Sequence, residues 1–269
     1  MSAPTALITG ATGGIGLEVA AQLAREGYRL ILVDFDSARL ETMAAGFAGA
    51  VTHVLDQRDM AAVTGFCDQV IEAGESIDVA IINAGIVSIG HLADQSQQAM
   101  LDQLQVNLVS SAAMIQSLAR RMVREGRGHI LATVSMGGIV SIKGSAPYSA
   151  SKFGLRGLLW GLRDELAPHG VHVTGIYPAG VDTPMLRHEA THGGSALNFV
   201  GTPVTAAQVA TAIRRALKKP RLEVYVPYSE SITGRIFSAW PWLLSHLYPR
   251  LEKMGEKGRA KFIHRISKA

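Results

Sequence analysis

The sequence predicts a three-layer α/β fold, in which helices cover both faces of a doubly wound parallel β-sheet and a helical extension follows. Short apolar runs alternate with longer segments in which apolar residues recur every three or four positions. This alternation indicates βα units, whose parallel strands are buried on both faces. A glycine-rich segment, Thr9 to Gly16, also separates the first apolar run from the first helical pattern. The expected strands are residues 6–9, 30–33, 51–55, 79–82, 129–134 and 171–177, with a last candidate at 224–227.

Length and composition indicate a single folded body. The chain has 269 residues, of which 48% are hydrophobic and 18% charged, so it can bury a large core. No internal repeat, low-complexity linker or sharp change of composition precedes residue 230. We therefore predict one domain over residues 1–229, which includes a substrate loop at 184–203, and a basic amphipathic extension over residues 230–269. Within that loop, Arg187 to Gly201 have the composition of a mobile lid.

Cysteine usage and the start of the chain indicate the compartment. Cys67 is the single cysteine, so an internal disulfide is excluded and a reducing environment is favoured. No histidine or cysteine has partners at ligand spacing, and no metal site is predicted. The first apolar run begins near Thr5, which leaves no room for a signal peptide. These features predict a cytoplasmic protein.

The C-terminal extension combines positive charge with an apolar stripe. Residues 1–213 carry 13 Lys and Arg against 18 Asp and Glu, whereas residues 214–269 carry 13 against 4. Beyond residue 230, the longest stretch without Lys, Arg, Asp or Glu is 236–249, which has fourteen residues and is too short to span a bilayer. Two alternatives stay open: a helix in the interface of an anionic membrane, or one packed on the protein's own substrate cleft or on another subunit. No nucleic-acid partner is expected. The stripe comprises Ile236, Trp240, Leu243, Leu244, Leu247, Leu251 and Met254.

The glycine-rich segment and the end of the second strand predict a dinucleotide site. Glycines there let the backbone approach a pyrophosphate, which the free amides at the start of the next helix stabilise. Asp34 follows Gly16 by eighteen residues and can accept hydrogen bonds from both hydroxyls of an adenosine ribose. Gly13, Phe35 and Asp36, where a cation would hold a 2′-phosphate, carry no positive charge. The predicted cofactor is therefore NAD, and NADP is the alternative.

Tyr148 and Lys152 stand four residues apart, one helical turn, and Ser135 lies thirteen residues before Tyr148. A phenol has an ordinary pKa of about 10. A cation about 4 Å away at an effective dielectric near 20 contributes up to about 4 kcal/mol toward the phenolate before desolvation. This spacing makes Tyr148 a candidate general acid or base.

Taken together, these motifs resemble those of the short-chain dehydrogenase/reductase family, in its compact single-domain branch. The resemblance runs from about residue 5 to residue 184, with the motifs in the family's order. It implies a Rossmann fold and oxidoreductase activity. The matching motifs are Thr9-Gly10-x-x-x-Gly14-Ile15-Gly16, Asp56, Asn83-Ala84-Gly85, Asn107, Ser135 and Tyr148-x-x-x-Lys152.

The resemblance implies roles for individual residues. Tyr148 exchanges a proton with the substrate oxygen, and Ser135 orients that oxygen. Lys152 binds the nicotinamide ribose and lowers the phenol pKa, while Asn107 holds a water in a proton relay. The chain departs from the family's pattern after Pro178, where glycine is delayed to Gly180. The residues implied to hold the cofactor are Gly10, Thr12, Gly14, Ile15, Gly16, Asp34, Asp56, Gln57, Asn83, Ala84, Gly85, Tyr148, Lys152, Pro178, Val181 and Thr183.

The substrate side is predicted to be apolar. Residues 86–89, 136–140 and 184–186 are mostly hydrophobic and are expected to face the nicotinamide. The predicted reaction interconverts a secondary or primary alcohol and a carbonyl on a bulky steroid, retinoid or lipid-like molecule. His188 and His192 are either substrate contacts or exposed loop residues. The alternatives are a catalytically weak nucleotide-binding sensor or scaffold, and an epimerase or dehydratase on a nucleotide-linked sugar.

The segment Tyr148 to Ala167 predicts self-association. Gly154, Gly157 and Gly161 lie among leucines, with few charges before Arg163. Small and apolar residues around most of a helix indicate burial on two sides. One side is the sheet and the other is expected to be a twin helix, which predicts a homodimer or homotetramer, as is usual in the family.

Overall fold

The computed structural model describes residues 3–268, so residues 1, 2 and 269, at the outer ends of the two predicted regions, lie outside the description. Nine strands lie within the described part. They are β1 (Thr5–Thr9), β2 (Arg29–Asp34), β3 (Val51–Val54), β4 (Val79–Ile82), β5 (Gly128–Thr133), β6 (Val171–Pro178), β7 (Val181–Asp182), β8 (Val204–Thr205) and β9 (Glu223–Val226).

The α-helices connect these strands and then form the C-terminal extension. One long helix runs from residue 97 to residue 125, because α4 and α5 are joined by a π-helical turn at Gln105–Ser110. The helices are α1 (Gly14–Arg25), α2 (Ser37–Ala44), α3 (Met60–Phe66), α4 (Gln97–Leu104), α5 (Ser111–Glu125), α6 (Ala146–Leu166), α7 (Pro184–Thr191), α8 (Ala206–Lys218), α9 (Tyr228–Ala239) and α10 (Pro241–Ile266).

The predicted three-layer α/β architecture is confirmed. Seven parallel strands form the sheet in the order β3-β2-β1-β4-β5-β6-β9, and β7 pairs with β8 separately. β1, β4 and most of β5 are buried on both faces, which explains why their sequences are uninterrupted apolar runs. The strand order reverses between β1 and β4, so the carboxyl ends of these strands open a crevice.

Two apolar clusters attach helices to the two faces of this sheet. On one face, Met114 and Leu118 of α5 pack with Leu155 and Leu159 of α6. On the other face, residues of α1 and α8 pack together against β1 and β2. The apolar sides of the helices therefore pack on the apolar side chains of the strands, as the sequence predicts.

The segment predicted as a substrate loop contains regular structure. Residues 184–191 form α7, and Ala196–Phe199 form a 3₁₀ turn. Thr183 begins α7, since its hydroxyl accepts a hydrogen bond from the Leu186 amide at 3.5 Å. Part of the predicted substrate loop is therefore helical, because α7 buries one apolar side against the C-terminal helix.

The second half of α10 packs on this substrate segment. Gly255 and Gly258 lie so close to the carbonyl groups of Ala196 and Phe199 that a side chain at either glycine would collide with them. Phe262 then packs on Phe199, with ring centroids 5.4 Å apart and the ring planes tilted by 47°. Of the alternatives for the extension, packing on the protein's own substrate segment describes this half.

The first half of the extension is different. Ile236 and Trp240 of the predicted stripe are 39% and 54% exposed, and Trp242 beside them is 62% exposed, whereas the leucines of the stripe are half-buried. The start of the extension is therefore only partly covered within the described chain. In residues 3–268, none of the helices has the length and apolarity needed to cross a membrane.

Candidate active site

The glycine-rich loop joins β1 to α1 in a conformation that only small residues allow. Gly10 has φ +62°, and a side chain there would lie 2.8 Å from the Ala84 Cα. α1 begins at Gly14, and its N-cap residue Gly13 offers no side chain to its free amides. An uncapped helix start beside a cavity is suited to phosphate oxygens. This loop therefore fits the diphosphate of a dinucleotide.

Asp34 stands at the end of β2 and is buried against this loop. Its Oδ2 accepts hydrogen bonds from the Thr12 amide and the Thr12 hydroxyl, both at 2.9 Å. Its Oδ1 accepts from the Phe35 amide at 2.8 Å. The carboxylate thus stabilises the loop as well as facing the cavity.

Arg39 was missed by the sequence analysis. It reaches back from the first turn of α2 and donates to the Thr12 carbonyl at 2.7 Å. It lines the same cavity as Asp34. Arg39 is five residues beyond Asp34 in the sequence, and only the turn between β2 and α2 places its guanidinium beside the glycine loop.

Asn83 connects the ends of three strands. Its amide nitrogen Nδ2 donates to the carbonyl groups of Thr9 and Gly10 at 3.3 and 3.2 Å, and its Oδ1 accepts from the Thr133 hydroxyl at 3.0 Å. The Thr9 hydroxyl accepts from the backbone amides of Asn83 and Ala84. The glycine loop is therefore rigidly tied to β4 and β5.

Asp56 and Gln57 line the cavity at the end where the family resemblance implies the adenosine. Arg58 donates to both Asp56 oxygens, at 2.6 Å for the shorter contact, and these hydrogen bonds hold the pKa of the carboxyl below its usual range. Gln57 Oε1 is buried without a hydrogen-bond partner within the described chain. An unpartnered acceptor facing a cavity fits an adenine amino group.

Ser135 adopts a strained backbone conformation at the end of β5. Its φ is 150°, which makes it the one non-glycine residue with positive φ among residues 3–268. Its hydroxyl accepts a hydrogen bond from the Gly137 amide at 2.9 Å. A side chain at Gly137 would lie 3.1 Å from Tyr148 Cε1 and 3.4 Å from Ser135 Oγ. Ser135 and Tyr148 therefore converge on one small space.

Lys152 lies beside Tyr148 on α6 but points its ammonium elsewhere. The Nζ atom donates to the Thr133 carbonyl at 2.9 Å and lies 5.7 Å from the centroid of the Tyr148 ring. Burial lowers the pKa of Lys152 to about 8. The helical spacing brings the two side chains together as expected, but the end of β5 determines the direction of the cation.

The expected lowering of the Tyr148 pKa does not follow from this geometry. Burial raises the pKa of the phenol to about 12, the Ser135 hydroxyl lowers it in part, and the charge of Glu189 raises it. Desolvation outweighs the lysine because the ammonium is directed at the Thr133 carbonyl. Without a bound cofactor, the Tyr148 phenol is therefore protonated at neutral pH.

Asn107 is buried in the π-helical turn, behind the cavity wall. Its Oδ1 accepts from the Ile86 amide at 2.8 Å, and its Nδ2 donates to the Ile86 carbonyl at 2.9 Å and the Ser151 hydroxyl at 3.2 Å. A side chain at Gly85 would lie 3.3 Å from Asn107 Oδ1 and 3.5 Å from Lys152 Nζ. The Asn107 side chain thus fixes the backbone at Ile86, close to Lys152.

The loop after β6 completes the wall. A side chain at Gly14 would lie 2.8 Å from Thr183 Cγ2, so this loop packs directly on the glycine loop. The Gly180 carbonyl accepts from the Val204 amide at 2.8 Å, which anchors the segment where the sequence departs from the family's pattern. Pro178, Val181 and Thr183 all line the cavity.

One continuous cavity of about 500 Å³ connects these groups. Of the predicted catalytic and cofactor-binding residues, only Gly16 and Asn107 do not line it. Gly16 packs against the Gly10 carbonyl and Ala11, and Asn107 supports the wall from behind. The apolar part of the lining is formed by Ile86, Val87, Met136, Val140, Ile142, Met185, Leu186 and Leu197.

The substrate end also contains polar residues that the sequence analysis missed. Glu189, Asn198 and Glu230 line the cavity beside the apolar residues. His188 and His192, by contrast, are exposed and stack on each other with centroids 4.0 Å apart. The helical period of α7 explains the difference, since residues 186 and 189 share its inner side. Within residues 3–268, no three His, Cys, Asp or Glu side chains form a metal-binding group.

Known proteins share this sequence and this arrangement. A family model described as short chain dehydrogenase matches residues 4–193. The chain belongs to the short-chain dehydrogenase/reductase family. The resemblance inferred from the motifs is thereby confirmed, and the protein is an oxidoreductase of a family that uses NAD or NADP.

Three relatives of this short-chain dehydrogenase/reductase illustrate its similarity. A Streptomyces violaceoruber protein, named as ketoacyl reductase 1 of the granaticin polyketide synthase, is 35% identical over 196 residues, which cover 70% of this chain and 72% of that protein. The structure of a short-chain dehydrogenase from Sphingobium yanoikuyae in complex with NADPH is 26% identical, with TM-score 0.78, and covers 90% of this chain and 95% of that one. A family member from Burkholderia phymatum in complex with NAD is also 26% identical, with TM-score 0.76, and covers 87% and 92%.

Proposed function

We propose that this protein is an NAD-dependent oxidoreductase that interconverts an alcohol and a carbonyl on a bulky hydrophobic substrate, with Tyr148 as the general acid or base. One observation carries the proposal. A single cavity has the glycine loop and Asp34 at one end and Ser135, Tyr148 and Lys152 at the other, with an apolar wall beside them. A bound dinucleotide would supply or accept the hydride.

The chain's own residues perform the proton transfer and orient the substrate. Ser135 and Tyr148 converge across Gly137, so both hydroxyl groups can contact one substrate oxygen. Negative charge that develops on this oxygen is stabilised by donors already in place. Because the phenol is protonated at neutral pH, Tyr148 is in the correct state to donate a proton to a carbonyl. Lys152 would hold the nicotinamide ribose, and Asn107 would support a water-mediated relay to it.

The test of this function is oxidation or reduction of nicotinamide, followed by absorbance, over a panel of steroids, retinoids, fatty alcohols and keto-lipids. We expect turnover of bulky apolar members and little turnover of sugars or short acids. If the wild-type protein turns over none of them but binds NAD, a sensor or scaffold becomes the better assignment. Activity confined to nucleotide-linked sugars would instead favour an epimerase or dehydratase.

Preference for NAD over NADP follows from Asp34. The buried carboxylate faces the adenosine end and would repel a 2′-phosphate. Arg39 lies close enough to the loop to attract one, so the two residues act in opposite directions. We expect Asp34→Asn to lower the ratio of kcat/KM for NAD over NADP by roughly tenfold or more, equivalent to about 1.4 kcal/mol. Kinetics with both cofactors measure this ratio.

Asp34→Asn is the suitable change because its carbonyl can still accept the Thr12 hydrogen bonds. Arg39→Gln is the matched variant, and it should change the ratio in the opposite direction by weakening NADP. A wild-type protein that prefers NADP, with the preference lost in Arg39→Gln, would show that Arg39 and not Asp34 determines the cofactor.

Self-association is proposed through α5 and α6. A groove of about 560 Å³ runs between these helices and is lined mostly by small and apolar residues such as Ala112, Leu158 and Leu162. Gln116, Arg120 and Glu165 complete the lining. Of the three glycines in α6, Gly154 packs within the chain, since a side chain there would lie 2.7 Å from Leu108 Cδ2. Gly157 has no atom within 4 Å of an added Cβ, which leaves its surface available to a partner.

We expect Gly157→Leu to convert a dimer or tetramer into smaller species at micromolar concentration. The monomer accommodates the new side chain, and replacing a helical glycine stabilises the helix by about 1 kcal/mol. Light scattering measures the mass, and circular dichroism reports the fold. Gly65→Leu in α3 is the control, because that position is also open within the chain. A wild-type protein that is monomeric, or a variant of unchanged mass, would contradict the proposed interface.

The exposed start of the extension supports a second, separate proposal of peripheral membrane binding. Ile232, Ile236, Trp240 and Trp242 are exposed, and basic residues follow along α10. Aromatic and apolar side chains beside cations suit an anionic lipid surface. Sedimentation with anionic vesicles at low salt would show binding that Trp240→Ala with Trp242→Ala abolishes. Protein that stays in the supernatant would contradict membrane binding, and the prediction of a cytoplasmic protein would stand without it.

A further inference from the structure

The substrate end of the cavity contains a buried acid that the proton-transfer residues do not require. Glu189 is 7% exposed on the inner side of α7 and lines the cavity together with Ser135 and Tyr148. Its charge raises the pKa of the phenol. The carboxyl group therefore shares one cavity with the site of proton transfer, in a wall that is otherwise mostly apolar.

The hydrogen bonding of Glu189 is incomplete. Its Oε2 accepts one hydrogen bond, from Asn198 Nδ2 at 3.0 Å, and its Oε1 accepts none from the described residues. No Lys, Arg or His within residues 3–268 forms an ion pair with it. Burial raises the pKa of Glu189 to about 7. A buried carboxyl group without a counter-charge is unfavourable, and a donor on a bound molecule would relieve that cost.

A second acid strengthens the negative character of this end. Glu230, from α9, also lines the cavity, and its burial raises its pKa. Asp34 and Asp56 belong to the other end, where Arg58 pairs with Asp56 and Arg39 also lines the cavity. Among the described lining residues, the substrate end has Lys152 as its only cation, and the Thr133 carbonyl engages that ammonium.

The Glu189 position is also held firmly, as a recognition group requires. Asn198 lies in the 3₁₀ turn that α10 clamps through Gly255 and Gly258. The Arg259 guanidinium donates to the Gly194 carbonyl at 3.0 Å, next to the end of α7. The C-terminal helix thereby fixes both the carboxyl group and its single amide partner.

We propose that Glu189 determines substrate choice by accepting a hydrogen bond from a hydroxyl or protonated amine on the substrate. The preferred substrate is then an apolar alcohol or ketone that carries a second, hydrogen-bond-donating group. Molecules with a carboxylate or phosphate at this place are disfavoured by both acids. This inference rests on the alcohol–carbonyl interconversion proposed above and adds the polar end of its substrate.

The test uses 4-arylbutan-2-ones whose ring carries a hydroxyl, aminomethyl, methyl or carboxyl group. Both the para and the meta isomers are included, so that the donor is presented at two distances from the ketone. For wild-type protein, kcat/KM for the hydroxyl or aminomethyl compound should exceed that for the methyl compound by about tenfold or more. The carboxyl compound should be the poorest.

Variants of Glu189 separate recognition from a structural role. Glu189→Gln keeps the Asn198 contact, and it should lose the aminomethyl preference while it retains part of the hydroxyl preference. Glu189→Leu should lose both preferences, so that within this variant the kcat/KM values for the hydroxyl and aminomethyl compounds fall to that for the methyl compound. A purely structural role would lower all activities together and leave the ratios unchanged, and that result would overturn the proposal. Glu41→Gln, at an exposed acid on α2, is the control.

A binding measurement keeps this test independent of turnover. Calorimetry on Tyr148→Phe protein saturated with NADH gives affinities for the same ketones, and Tyr148→Phe with Glu189→Leu gives the comparison. Equal affinities for the methyl and donor-bearing compounds would overturn the role of Glu189. Absence of turnover in the wild type, with the affinity ratios intact, would instead count against the proposed reaction.

Discussion

Replacing Tyr148 by phenylalanine is expected to lower kcat/KM by about 10³-fold, within the range of about 10² to 10⁴ typical of a positioned general acid. The change removes only the hydroxyl that converges with Ser135 across Gly137. Ser135 remains as a donor to the substrate oxygen, so a small residual rate is expected. Affinity for NAD should change little, and intrinsic fluorescence or calorimetry measures it beside the kinetics.

The matched control is Tyr28→Phe, the same chemical change at a residue that does not line the cavity. It should retain wild-type kinetics. Full activity in Tyr148→Phe would show that another group moves the proton, and it would remove Tyr148 from the proposed mechanism.

The second large effect is expected for Lys152→Met, which should weaken NAD binding and slow the chemical step. The ammonium lies within the cavity and is held by the Thr133 carbonyl, in the position expected to contact the nicotinamide ribose. A loss of about 10²-fold or more in kcat, with a dissociation constant for NAD raised about tenfold, corresponds to about 2.7 and 1.4 kcal/mol. A slower chemical step with unchanged NAD affinity would show that Lys152 does not bind the cofactor.

Stability measurements distinguish this loss from unfolding. Burial lowers the Lys152 pKa from 10.5 to about 8, so the folded chain binds the proton less tightly than the unfolded chain. The ammonium therefore costs stability below pH 8, and the cost disappears as the pH rises toward 10.5. Lys152→Met removes this cost but leaves the Thr133 carbonyl unpaired, so the free energy of unfolding at pH 7 should change little.

The pH dependence gives the sharper result. Between pH 8 and pH 10, wild-type stability should gain relative to Lys152→Met, by up to about 2 kcal/mol for a fully desolvated lysine. Urea unfolding of both proteins at the two pH values measures the difference. Parallel pH profiles would show that the lysine is solvated in the folded protein.

Local patterns predicted most of the fold. The seven strands of the main sheet were located to within one residue at each end, since buried parallel strands are continuous apolar runs that turns and helices interrupt. The two-residue strands β7 and β8 were not predicted. The glycine loop follows from the same local chemistry, because tight turns and helix starts need particular residues at fixed spacing. The four-residue step from Tyr148 to Lys152 likewise put both side chains on the cavity side of α6.

Sequence patterns failed where a residue's environment comes from distant segments. Residues 184–191 have helical spacing too short to be distinctive, and α7 is stabilised by α10, more than fifty residues later. His188 and His192 were predicted as either substrate contacts or exposed residues, and both are exposed. The helical period of α7 turns Glu189 inward instead. The number of basic residues in the extension does not predict the role of Gly255 and Gly258. That role depends on their close approach to the carbonyl groups of Ala196 and Phe199.

The amino-acid sequence alone therefore determined the α/β architecture, the family and the residues that meet at the carboxyl ends of the strands, since these depend on periodicity and local turns. The tertiary structure alone decided the direction of the Lys152 ammonium, the approach of Arg39 to the glycine loop and the burial of Glu189. Each of these depends on a partner from another element, and direction, distance and desolvation appear only when the elements pack. For Tyr148, that packing raised the pKa that the four-residue spacing predicted to fall.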